Sequence, residues 1–136
     1  MVERQIVITQ HDADRLRTLI DEMDDFGGRK DLAALAGELD RATIVAPKAI
    51  PSNTVTMNSS VILRDVEQSK EKTITLVFPA DADIDAGAIS VLAPVGTAIL
   101  GFKEGDVIEW PVPSGLRRFL VEKVLYQPEA AGDLER

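Results

Sequence analysis

Apolar residues first recur at Leu16, Leu19, Ile20 and Met23, one stripe of an amphipathic helix. Thr9-Gln10-His11-Asp12 precedes that stripe and has the form of a capping box, with an acid three residues after a threonine. Phe26-Gly27-Gly28 breaks the periodicity, and Asp31 is placed to cap a second helix with its stripe at Leu32, Leu35, Ala36 and Leu39. The two stripes match in spacing and a short loop joins them, so two antiparallel helices seamed by Leu and Ala are expected. The period then changes. Two prolines within Ala46-Pro47 to Pro51-Ser52-Asn53 separate the halves. Beyond them Thr54-Val55-Thr56-Met57, Ser60 to Val66, Lys72 to Phe78, Ala88 to Leu92, Asp106 to Pro111 and Leu116 to Tyr126 read as strands.

Glu67-Gln68-Ser69-Lys70-Glu71 is expected as a hairpin loop. Pro94 suits the first turn of a short helix that buries Ala98, Ile99 and Leu100 and ends at Gly101. On the last strand Phe119, Val121 and Val124 are the candidate core positions. The tail from Gln127 to Asp133 is polar, contains Pro128, and is expected to be loosely held. The pattern as a whole is α+β: a short antiparallel helical hairpin over residues 1–45 and an antiparallel β domain with one short helix over residues 46–136.

Composition narrows the function. The chain has 136 residues, enough for one domain or a small domain with a helical appendage. It is 45% hydrophobic but only 4% aromatic, so aliphatic side chains must fill the core. Cysteine is absent, which removes disulfides and thiolate chemistry and fits a reducing cytosol. No apolar run reaches the roughly 18 residues of a membrane span, and Met1-Val2-Glu3-Arg4-Gln5 lacks the layout of a signal peptide. A cytoplasmic protein is expected. The net charge of −8 makes DNA or RNA a poor direct partner, since backbone binding needs a basic face.

Chemistry-bearing residues are few. Asp21, Glu22, Asp24, Asp25 and Asp31 cluster at the turn of the helix pair, with Arg29 and Lys30 among them. Carboxylates at such a tip can hold Mg²⁺, but charge runs usually mark a solvated face, and that reading is preferred. Asp81, Asp83 and Asp85 imitate the start of a calcium loop without its glycine or its closing glutamate. His11, the only histidine, has no second nitrogen or sulfur ligand and no nucleophile to serve, so it is read as a surface residue. No cofactor, metal or catalytic residue is expected, and the chain is read as a non-enzymatic factor.

Several blocks carry a family resemblance over nearly the full length. They are Glu38-Leu39-Asp40-Arg41-Ala42, Val55-Thr56-Met57-Asn58-Ser59, the run from Leu92 to Gly101, Gly105-Asp106, and the run from Tyr126 to Asp133. The chain resembles the Rnk family, regulators of nucleoside diphosphate kinase related to the Gre transcript cleavage factors of bacterial RNA polymerase. The resemblance implies a coiled-coil hairpin on an FKBP-like domain. It implies docking on the rim of the polymerase secondary channel through Leu92, Ala93 and Pro94, with Asp21, Glu22, Asp24 and Asp25 at the finger tip. A shorter finger than that of Gre factors implies competition with them without transcript cleavage. The expected state is a monomer. Regulation of the kinase, direct or indirect, is the alternative, and a peptidyl-prolyl isomerase, which needs an aromatic-lined pocket, ranks below both.

Overall fold

The computed structural model describes residues 6–23, 30–112 and 115–132. Strand β1 (Val7–Thr9) leads directly into helix α1 (Gln10–Met23), and α2 (Lys30–Arg41) returns to β2 (Thr43–Val45). The helix pair is present as the apolar stripes predict. Its base holds something the stripes do not signal: β1 and β2 pair in parallel, Val7 with Thr43 through Thr9 with Val45. Parallel strands need a long crossover, and here the helical hairpin is that crossover.

A five-stranded sheet follows, in the order β5-β4-β3-β7-β6. Its strands are β3 (Ser60–Asp65), β4 (Glu71–Val77), β5 (Ala88–Ser90), β6 (Val107–Val112) and β7 (Gly115–Tyr126). Three pairings are antiparallel, as expected, but β5 runs parallel to β4, Thr75 beside Ala88. The connection that makes this possible is the acidic stretch from Pro79 to Ala86, which forms two 3₁₀ turns and brings the chain back beside Thr75 in β4. Asp81, Asp83 and Asp85 are exposed there, and no group of metal-ligating side chains forms among the described residues. Helix α3 (Pro94–Ile99) follows β5, and α4 (Pro128–Ala131) closes the chain.

Two expectations fail. Residues 54–57 do not form a strand. Thr54 makes an isolated bridge to Lys103, and Thr54, Val55, Thr56 and Met57 are all buried. Alternation suggested one wet face; the segment instead lies between the sheet and the helical hairpin, so both of its faces are covered. The tail is also not loose as far as Gly132. Pro128 opens α4 and Gly132 ends it at φ +82°, while Gln127 is buried and its Nε2 donates to the carbonyls of Pro51 (2.8 Å) and Thr54 (2.7 Å). Pro at the first helical position and Gly just past the last was the overlooked signal.

One hydrophobic cluster joins the two halves. Ile6 beside β1, Ile8 within it, Leu16 of α1, and Leu35 and Leu39 of α2 pack with Val55, Met57, Val61, Leu76, Ile99 and Val121. The helical leucines therefore do more than seam the hairpin. A two-stranded ribbon is marginal alone, and β1–β2 persists because Ile6 and Ile8 are each only 1% exposed in this core. On the last strand Val121 is fully buried, and Phe119 and Val124 pack against the cluster from half-buried positions.

Candidate functional site: a rigid turn beside a clamped finger

The turn after β5 is fixed by its own backbone. Val91 N–H donates to Val77 O (2.9 Å), which ends the pairing with β4, and Val91 is fully buried. Ser90 then holds the next residues, its carbonyl accepting from Ala93 N–H (3.0 Å) and its Oγ from Leu92 N–H (3.1 Å). Thr97 closes the first turn of α3, donating from N to Ala93 O (3.0 Å) and from Oγ1 to Val91 O (2.6 Å). Gly96 makes this closure possible, since a Cβ there would lie 2.2 Å from Ser90 O. Leu92 and Ala93 are left half-buried at the apex, and Pro94 starts the helix. The result is an apolar turn with almost no freedom, so presenting it to a partner costs little ordering entropy.

The far end of α3 anchors the finger. Gly101, at φ +82°, accepts from Val7 N–H (3.2 Å) and donates to Val55 O (2.9 Å). A Cβ at Gly101 would sit 2.7 Å from Ile6 Cβ. Hairpin and β unit thus touch backbone to backbone.

Asp12 is the second anchor and the residue most underrated from sequence. Its amide donates to Thr9 Oγ1 (3.0 Å), the expected half of the capping box. Its carboxylate does not return to Thr9. It is fully buried, Oδ2 accepting from Met57 N–H (3.0 Å) and Oδ1 from Arg15 Nη2 (2.7 Å). Arg15 in turn lies 4.7 Å over the Phe78 ring. The Val55-to-Ser59 block and the residues from Tyr126 to Gly132 converge beside this anchor, where Thr56 Oγ1 bonds Glu129 Oε1 (2.7 Å) and Thr56 N–H donates to Ser59 Oγ (2.9 Å). His11 is not a plain surface residue: it is half-buried, and its Nε2 is buried without a partner among the described residues.

Asp21 and Glu22 are exposed on the last turn of α1. Asp24, Asp25 and Arg29, and the side chains of Lys30, Asp31 and Pro94, lie outside the described residues. With 14 residues, α1 is about 21 Å long.

A hollow of about 430 Å³ opens between the sheet and α3. Phe119 is the one aromatic among its described lining residues. At its rim Arg117 pairs with Asp65 and lies 5.3 Å over Phe119. The Arg117 bond, assisted by the amides of Gln68 and Glu67, holds the Asp65 carboxyl below its ordinary range against the opposing effect of burial.

Known proteins place this arrangement. Residues 50–126, which hold the sheet and α3, match the family model "Transcription elongation factor, GreA/GreB, C-term". The fold agrees: a GreA/GreB transcription elongation factor from Nitrosomonas europaea superposes at TM-score 0.74 with 42% identity, covering 91% of this chain and 100% of that one. The class is that of Gre-related transcription factors. Residues 4–45 match the model "Rnk N-terminus", and the "Regulator of nucleoside diphosphate kinase" of Escherichia coli K12 is 42% identical over 129 residues, 94% of each chain. GreA of Nautilia profundicola is 33% identical over 96 residues, 71% of this chain and 59% of its own. The chain belongs to the Rnk family and carries the GreA/GreB C-terminal domain.

Proposed function

We propose that this protein is a non-enzymatic transcription regulator of the cytoplasm that docks on the rim of the RNA polymerase secondary channel, as a monomer, through Leu92, Ala93 and Pro94. Residues 1–45 act as the finger unit and 46–136 as the docking unit. The carrying observation is the turn itself: Ser90, Thr97 and the bare Cα of Gly96 lock an apolar apex in place where the family resemblance puts the docking element. The finger argues for occupancy without cleavage. A helix of about 21 Å holds Asp21 and Glu22 well short of a distant active centre, and a carboxylate out of reach can position neither metal nor water. The protein then displaces Gre factors without replacing their activity.

Regulation of nucleoside diphosphate kinase is the second reading, resting on the name of the Escherichia coli relative. An isomerase reading finds little support in a hollow with a single aromatic among its described lining residues.

The test is competition at purified core RNA polymerase, with labelled Gre factor displaced by this protein and transcript cleavage followed in the same tube. Displacement without cleavage is expected, and Pro94→Asp should abolish it while far-UV circular dichroism stays unchanged. Displacement with cleavage would refute the reach argument. Retained affinity in folded Pro94→Asp would remove the docking assignment.

A further inference from the structure

A groove of about 490 Å³ runs along α1 where the finger meets the β unit. One wall is a single face of the helix. Asp14, Thr18 and Glu22 follow one another at four-residue spacing, so they line up along that face. Asp14 and Glu22 then stand about 12 Å apart along the helix axis. Across the junction the second wall is Phe78 and Asp81, and Leu19 forms an apolar floor with the Phe78 ring. Asp14, Glu22 and Asp81 are exposed, and none of them has an ion-pair partner among the described residues. Arg15 is the one cation among the described lining residues, and the buried Asp12 carboxylate already meets its charge. The groove thus joins an apolar floor to three uncompensated carboxylates that are spread along it rather than gathered at a point.

We propose that this groove binds a linear aliphatic polyamine, a chain in which ammonium groups alternate with short runs of methylene. The methylenes lie on Leu19 and Phe78, and the ammonium groups meet Asp14, Glu22 and Asp81. Thr18 Oγ1 donates to the Asp14 carbonyl (3.0 Å) and keeps lone pairs that can accept from an ammonium passing between the two acids of α1. A volume of about 490 Å³ lies within the range of ligand sites, about 300–1,000 Å³. A divalent metal fits poorly, because no group of three ligating side chains converges among the described residues. The two walls belong to opposite sides of the junction, so a bound polyamine ties Asp81 to the finger. This site takes a small cation and is separate from the turn at Leu92.

The probe is spermidine, a linear triamine, titrated into the full chain by isothermal calorimetry at low and high salt, with the melting temperature followed in parallel. Saturable one-to-one binding is expected, weakened by salt and raising Tm as free ligand increases. Asp81→Asn with Glu22→Gln removes one exposed, unpaired carboxylate from each wall. This double variant should fold normally and bind at least roughly tenfold more weakly. Asp83→Asn with Asp85→Asn removes the same charge from exposed positions that do not line the groove. Its affinity should stay within about threefold of the parent. Equal weakening in the two double variants would reduce the effect to diffuse attraction by an acidic surface and overturn the proposal. An equal affinity for Mg²⁺ would overturn it in the same way. Tighter binding of the peptide Gly-Lys-Leu-Leu-Lys-Gly than of spermidine would overturn it in favour of a basic protein segment, and the absence of saturable spermidine binding would overturn it outright.

Discussion

Asp12 and Asp21 stand on one helix, nine positions apart, and their surroundings could hardly differ more. Asp12 is fully buried, tied to Thr9, Arg15 and the amide of Met57 across the junction with the β unit. Asp21 is exposed. The base of the finger is thus determined by specific contacts, whereas the last described turn of α1 presents Asp21 and Glu22 to solvent. The lesson concerns how acidic residues are read. A cluster of carboxylates near a turn draws the eye as chemistry, whereas a single carboxylate inside a capping pattern fixes where the whole finger points.

The contrast can be broken most forcefully at Gly101. Gly101→Ala places a methyl in a backbone with φ +82° and 2.7 Å from Ile6 Cβ. Left-handed strain and overpacking together should cost about 3–4 kcal/mol, read by urea denaturation. A change below about 1 kcal/mol would mean that Ile6 moves freely and the base is not anchored there.

Asp12→Ala comes next. It strands the Met57 amide and leaves Arg15, whose side chain is 30% exposed, without its partner. Because Arg15 can turn partly to water, the expected loss is about 2–3 kcal/mol rather than the full penalty of an orphaned buried charge. Asp12→Asn should recover part of it, since an amide oxygen can still accept from Met57. Equal losses in the two variants would contradict the hydrogen-bond account.

Much of this architecture was legible and the clamp was not, for a physical reason. Helices and strands write their periods locally, so Leu16, Leu35 and Leu39 and the alternation in β3, β4 and β7 could be read directly. The bond from Asp12 to Met57 joins positions 45 residues apart, and no local pattern encodes it. The parallel pairing of Val7–Thr9 with Thr43–Val45 is hidden for the same reason, with two helices intervening. Residues 54–57 misled because alternation assumes one solvated face. The turn after β5 is intermediate. Its Pro94 and Gly101 were visible as helix punctuation, yet the need for Gly96 depends on Ser90 O lying 2.2 Å from an added Cβ.

A partnered carboxylate in the sheet gives a milder test of the same contrast. Asp65 is held below its ordinary value of 3.8, first by Arg117 and then by the Gln68 amide. Its folded form therefore binds protons less readily than the unfolded chain. The contribution to stability is fully present above about pH 4 and is lost as pH falls through the lowered folded value. Thermal unfolding from pH 6 to pH 2 should show an acid-side decline that is shallower in Asp65→Asn. Parallel profiles in the two proteins would show that Asp65 is not a source of the acid sensitivity.

The smallest effect belongs to the exposed end of the finger. Asp21→Ala with Glu22→Ala removes two exposed charges near the C-terminal end of α1, where negative charge opposes the helix dipole. The stability change should stay within about 0.5 kcal/mol, with a slight gain favoured by the dipole. Displacement of Gre factor should also persist, because docking is assigned to the turn at Leu92 and the finger contributes its bulk rather than its charge. A large loss of displacement in this well-folded variant would show that the acids touch the partner, and the exposed last turn of α1 would then be as functional as its buried base.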